Sequence, residues 1–167
     1  GDEALVAADA LQWVVPSASR HGRAAIRAYV VPAGGGYERV AADASLAVGA
    51  GPAGLAIVDV PEGGPPVARA TLAVTDPALG FPVLARDVAV DRGARRAAVV
   101  DGMWLHLADL TDPAAPRAMG HLDVPGATVG VDLAGETAWV ATEFGGLVAV
   151  DLADPAAPRI ARTVPGL

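Results

Sequence analysis

An all-β chain folded as a β-propeller is what this sequence predicts, and three observations carry the prediction. Two short markers recur in phase along the chain, the runs between them are Val-rich apolar segments of four to eight residues, and 20 glycines and 14 prolines punctuate those runs. Strands of that length bounded by Gly, Pro and Asp turns, repeating at about 40 residues, are the pattern of stacked four-stranded units. The expected architecture is about four blades of four-stranded antiparallel sheet, forming a partial propeller. No window carries sustained helical apolar periodicity with caps, so almost no helix is expected.

The first marker is the pentapeptide Val6-Ala7-Ala8-Asp9-Ala10, which recurs unchanged as Val40-Ala41-Ala42-Asp43-Ala44, shortened as Val88-Ala89-Val90-Asp91 and degenerate at Val131-Asp132-Leu133-Ala134. The second is an apolar run closing on Asp: Leu55-Ala56-Ile57-Val58-Asp59-Val60, Leu105-His106-Leu107-Ala108-Asp109-Leu110 and Leu147-Val148-Ala149-Val150-Asp151-Leu152. A weaker copy, Ile26-Arg27-Ala28-Tyr29-Val30-Val31, has Val30 in place of the Asp. The last two full copies lie 42 residues apart, and each is followed by the same hexapeptide, Asp-Pro-Ala-Ala-Pro-Arg, at 112–117 and 154–159.

Taken in order, each unit reads as four strands. The first marker opens it, and a short apolar stretch follows: Leu11 to Val15, Leu46 to Val48, Ala97 to Val100 and Ala138 to Ala141. The second marker is the third strand, and a fourth runs over Val67 to Val74, Arg117 to Val124 and Arg159 to Val164. The blades are expected at roughly 3–36, 37–74, 82–124 and 125–167. Blade one departs from the pattern, because only nine residues separate Val30 from Val40, so its fourth strand should be missing or reduced to the stretch around Gly34 to Gly36. Thr75 to Phe81 is an insertion between the second and third units and therefore a candidate binding loop. In the third strand, Leu147 and Ala149 point one way and Val148 and Val150 the other. Apolar residues on both faces fit a sheet held between two neighbours rather than one with a solvated face.

The Asp-Pro hexapeptide ends one strand and starts the next. Asp accepts hydrogen bonds from backbone N–H groups two or three residues on, while Pro fixes φ and removes a ladder donor. Calcium ligation by Asp109 with Asp112, or by Asp151 with Asp154, is the weaker reading, since the segment offers few carboxylates and places Pro where ligands would be needed.

The segments Gly54 to Val60 and Gly146 to Pro158 resemble the repeats of the LVIVD family, whose pattern x-L-x-I-x-D-V-S-D-P-x-x-P is followed by a strand and a Pro-Gly turn. Pro125-Gly126 and Pro165-Gly166 match that turn. The resemblance covers nearly the whole chain, strongly from Val40 onward and weakly before it. It implies a β-propeller, commonly in bacterial secreted or cell-surface proteins, and no catalytic residues. The sequence stops where a further blade would begin, so a fragment of a larger propeller is expected over a complete four-bladed ring.

Composition narrows the chemistry. The chain has 167 residues, enough for one domain with its own core, and no Cys, which excludes disulfides and thiolate metal sites. A formal charge of −7, with Arg supplying all twelve basic residues, argues against an electrostatic grip on nucleic acid or anionic lipid. No apolar run is long enough to span a membrane as a helix, and no signal-peptide pattern is visible at the N-terminus.

The least repetitive polar stretch, Ser17 to Arg23, gathers Arg20, His21 and Arg23 and is the candidate binding loop for a carboxylate or phosphate. His106 reads as a packing histidine on a strand interior beside Trp104, and His121 as a solvated residue of an outer strand. The three histidines lack metal-ligand spacing, no nucleophile can be paired with a base, and no cofactor motif is present. The expected function is a non-catalytic binding or scaffolding surface for a protein or other extracellular ligand, with self-association through exposed blade faces as one outcome. A propeller-borne hydrolase or lyase whose catalytic residues lie partly outside this segment is the alternative.

Overall fold

Short Val- and Ala-rich runs separated by Gly, Pro and Asp turns fold as antiparallel strands throughout. The computed structural model describes residues 4–6, 11–18, 24–31, 37–43, 45–61, 65–91 and 93–166, and no residue among these is helical. Strands β1 (Ala4–Val6), β2 (Leu11–Ala18) and β3 (Ala24–Val31) form a three-stranded sheet. The second sheet comprises β4 (Arg39–Asp43), β5 (Leu46–Gly51), β6 (Gly54–Asp59) and β7 (Val67–Leu72). The third holds β8 (Asp87–Asp91), β9 (Arg96–Val100), β10 (Trp104–Asp109) and β11 (Arg117–Asp123). The fourth holds β12 (Ala127–Ala134), β13 (Thr137–Glu143), β14 (Gly146–Asp151) and β15 (Arg159–Val164). Within each sheet the strands lie in sequence order, so every connection is a hairpin. Gly34 to Gly36, where a reduced fourth strand of the first sheet was expected, lies outside the described residues.

The sheets, here called blades one to four, stack side by side with their first strands innermost: β1 lies beside β4, β4 beside β8 and β8 beside β12. This is the arrangement of propeller blades around an axis. Blade three shows how the sequence specifies it. Ala97, Val99, Ala108 and Leu110 pack with Leu46, Val48, Ala50, Leu55 and Ile57 of blade two. The alternate residues Ala98, Val100, Leu105 and Leu107 pack with Ala138, Val140, Val148, Val150 and Leu152 of blade four. Successive side chains of a strand point to opposite faces. A strand buried on both sides must therefore be apolar at nearly every position.

Strand registers align the blades position by position. The pairs Val48–Ile57, Ala98–Leu107 and Trp139–Ala149 are equivalent, as are Ala50–Leu55, Val100–Leu105 and Ala141–Leu147. In blades two and three these residues are buried against the next blade. In blade four they form the outer face, where Leu147 and Val164 are 45% and 41% exposed and the Arg162 guanidinium lies 5.9 Å from the Trp139 ring centre.

The repeated hexapeptide is an elbow between the third and fourth strands. Asp109 Oδ1 accepts from Thr111 N at 2.8 Å and Asp112 Oδ1 from Ala114 N at 3.0 Å, while the Asp112 carbonyl accepts from Ala115 N. Blade four repeats this with Asp151 to Ala153 N, Asp154 to Ala156 N and the Asp154 carbonyl to Ala157 N. Hydrogen bonds from the Thr111 hydroxyl and N–H hold the Asp109 carboxyl below its ordinary range. The elbow also seats one blade on the one before it, because a Cβ at Gly120 of β11 would stand 2.5 Å from the Pro155 carbonyl oxygen.

Gly146 opens β14 at φ 84°, and a Cβ there would overlap the Val164 carbonyl and the Gly166 nitrogen, both backbone. Gly135, at φ 58°, faces open space. Gly135→Ala should cost about 1–2 kcal/mol through left-handed strain alone. Gly146→Ala should cost about 1–3 kcal/mol more, because the clashing backbone must move. Urea unfolding of both variants checks this, and equal losses would remove the close-approach argument.

Candidate functional site

Hairpin topology sorts the loops into two ends. The β5–β6, β9–β10 and β13–β14 turns share one end with the β7–β8 and β11–β12 connections. That end carries the insertion. Thr75 bridges Pro82, Asp76 Oδ1 accepts from Ala78 N and Leu79 N at 2.8 and 2.7 Å, and the Asp76 backbone pairs with Phe81 and Gly80. The result is a braced turn with its apolar side chains outward. Phe81 is 68% exposed, Leu79 and Leu84 similarly so, and on neighbouring turns of the same end Met103 and Phe144 also stand in solvent. Phe144 is fully exposed at φ 60°, a conformation a bulky residue seldom adopts.

The opposite end is polar. It carries the Asp elbows and the ion pairs Asp59–Arg69 at 2.7 Å and Asp151–Arg159 at 3.3 Å.

Between blades two and three the structure forms a cleft of about 280 Å³ that sequence reasoning did not foresee. Leu55, Leu72 and Val74 line it from blade two, Val99, Met119, His106 and His121 from blade three, and Thr75 and Pro77 from the insertion. His106 and His121 are direct cross-strand partners on β10 and β11, so both imidazoles project from the same face. His106 is the buried strand histidine the sequence suggested, with a specific partner. Its Nε2 lies 2.9 Å from Asp101 Oδ2, and both side chains are under 10% exposed. His121 is the exposed outer-strand residue expected, and its ring also packs edge-on against Trp104 at 5.5 Å and an interplanar angle of 76°.

Asp101 lies in the β9–β10 turn. Its Oδ1 accepts from Met103 N at 2.9 Å and Trp104 N at 2.8 Å, leaving Oδ2 for the histidine. Burial pushes its carboxyl up, yet the Trp104, His106 and Met103 hydrogen bonds together outweigh it, and the net shift is downward. Asp101 thus accepts from His106 Nε2–H, and Nδ1 is the ring nitrogen outside that bond. Nε2 is turned to Asp101, and the His106 ring lines the cleft. The cleft therefore offers one oriented imidazole within mostly apolar walls, with Thr75 as the one hydroxyl among its lining side chains.

Arg20, His21 and Arg23, the loop singled out from sequence, lie outside the described residues. Among the described residues no group of three or more His, Asp or Glu is placed to hold a metal ion, and no helix is long and apolar enough to cross a membrane.

Because the Asp101 carboxyl sits lower in the folded chain than in the unfolded one, its contribution to stability is complete above the ordinary carboxylate value. That contribution is lost as pH falls through the lowered one. Asp101→Ala should cost about 3 kcal/mol at pH 7 by stranding two backbone N–H groups and the histidine. The difference from the parent should shrink as pH falls through the lowered carboxyl value. Unfolding curves at pH 7 and pH 3 test this, and a pH-independent difference would contradict it.

No family model and no curated protein matches the chain. Solved structures do. Apo AztD from Citrobacter koseri superposes with a TM-score of 0.60 at 17% identity, over 99% of this chain and 47% of that one. A chain of a Nidogen/Laminin complex gives 0.56 at 14% identity, over 95% and 60%. The Myceliophteria thermophila Cps50 (Swd1) beta-propeller domain gives 0.50 at 16%, over 72% and 36%. The chain spans about half the length of the first of these, and at such identities what is shared is the fold, that of a β-propeller.

Proposed function

We propose that the chain is a non-catalytic binding and scaffolding module of a secreted or cell-surface protein, which docks a protein partner on the loop-bearing end of its blades. The observation that carries this reading is the concentration of Leu79, Phe81, Leu84, Met103 and Phe144, all exposed, on turns of that end. Exposed apolar side chains on a hydrogen-bonded turn are anchors that lose little entropy on binding, and contiguous patches of them mark interaction sites. A Nidogen/Laminin complex among the structural neighbours supports protein docking as a use of the fold. The resemblance to LVIVD repeats supports the extracellular setting. In this reading Arg20, His21 and Arg23 supply a separate contact for an anionic group of the partner.

The immobilised chain, offered envelope extract from its own source, should retain a partner that Phe81→Glu with Phe144→Glu fails to retain. Arg159→Glu, at the polar end, should leave capture intact, and both variants should keep stability within about 0.5 kcal/mol. Equal capture by all three proteins would reject the loop end as the docking surface.

The outer face of blade four favours a second scaffolding mode, self-association, because Trp139, Ala141, Leu147 and Ala149 stand where the other blades bury Val48, Ala50, Leu55 and Ile57 or Ala98, Val100, Leu105 and Leu107. Light scattering of the chain should show mass rising with concentration, and Leu147→Glu should abolish the rise. A parent monomeric throughout the micromolar range would exclude this mode.

A further inference from the structure

Blades two and three share the same turn length between their second and third strands, so their residues correspond at a constant spacing of 50. Against that frame four departures stand out: Asp101 for Gly51, Trp104 for Gly54, His106 for Ala56 and His121 for Thr71. All four meet in one place. Asp101 bonds His106, His106 pairs across the strands with His121, and His121 packs on Trp104. None is needed for the blade itself, since blade two is built without them. A buried carboxylate and imidazole also cost desolvation that Gly and Ala avoid. Their common product is the oriented imidazole of His106 in the cleft.

We propose that this cleft is a binding site for a small aromatic alcohol, whose hydroxyl donates to His106 Nδ1 and whose ring lies between the apolar walls. The size fits: a cavity of about 150 Å³ holds benzene, so about 280 Å³ accommodates one ring with its substituents. The walls favour an aromatic ring, because the His121 ring lines the cleft beside the apolar Leu55, Leu72 and Val99. The hydroxyl follows from Asp101, which occupies the Nε2–H and so presents the other nitrogen as an acceptor. A ring without a donor would displace water from Nδ1 and leave it unpaired, at a loss of about tenfold in affinity. This site is separate from the exposed turns proposed to dock a protein and stands or falls without them.

The test uses the chain labelled with ¹⁵N-histidine and titrated with 4-methylphenol, toluene and 4-methylbenzoate at pH 7.5. The expected result is saturable binding of 4-methylphenol with the His106 Nδ1 resonance shifted, and binding of toluene about tenfold weaker. His106→Val, which installs the residue of the equivalent position in blade four, should bring the phenol-to-toluene ratio to about one. His121→Thr, the residue of blade two, should weaken both ligands and keep the ratio. Equal binding of phenol and toluene by the parent, tighter binding of the benzoate, or no shift at His106 would overturn the proposal. Those parent measurements decide it even if His106→Val does not fold.

Discussion

Everything in this molecule depends on one packing constraint: a blade must bury both faces of its middle strands against neighbours. Alternation along β9 meets it, with Ala97 and Val99 turned to blade two and Ala98 and Val100 to blade four. Four small side chains in succession let the sheets approach closely, and the larger Leu55, Ile57, Leu105 and Leu107 on the adjacent third strands fill the remaining space. Such a core has no single centre. Each interface depends on the one beside it, as in other stacked repeats.

The same constraint sorts the two ends of the blades into different tasks. At one end the elbows are tied to the stack, because Asp carboxylates cap their turns and the Pro155 carbonyl approaches Gly120 of the blade before. A side chain added at Gly120 would push two blades apart. At the other end several turns project beyond the stack. The insertion from Thr75 to Phe81 is braced within itself by Asp76 and the Thr75–Pro82 bridge, and the β13–β14 turn carries Phe144 into solvent. Variation is tolerated where it does not disturb an interface, so recognition residues gather there.

Much of the fold was legible in the chain because its information is periodic. Leu55, Leu105 and Leu147, with the Asp residues that end their strands, announce three equivalent third strands, and the apolar doublets between them announce burial on both faces. The site was not legible for the opposite reason. His106 and His121 lie fifteen residues apart, and what puts them side by side is the β10–β11 hairpin, whose register shifts between His106 and Ala108. No spacing rule anticipates that bulge. The elbow lay between these cases: turn chemistry explained its Asp and Pro residues, while its seat on the preceding blade depended on a glycine in another unit.

A signal for the site was nevertheless present, in the departures from the repeat rather than in the repeat. Trp104 stands where blades two and four have Gly54 and Gly146, whose backbones pass so near β7 and β15 that no side chain fits. A Trp there requires a different turn. Gly102 at φ 109° supplies it, locked to blade four by its N–H to Thr128 Oγ1 at 2.9 Å and its carbonyl from Thr128 N at 3.1 Å. That turn is also what aims the Asp101 carboxylate at Met103 N, Trp104 N and His106. One irregular turn thus reorganises a carboxylate, an indole and two imidazoles together. A repeat broken at four positions that converge in space has been modified as a unit, and the unit it forms is a buried, oriented imidazole rather than a repair of the blade.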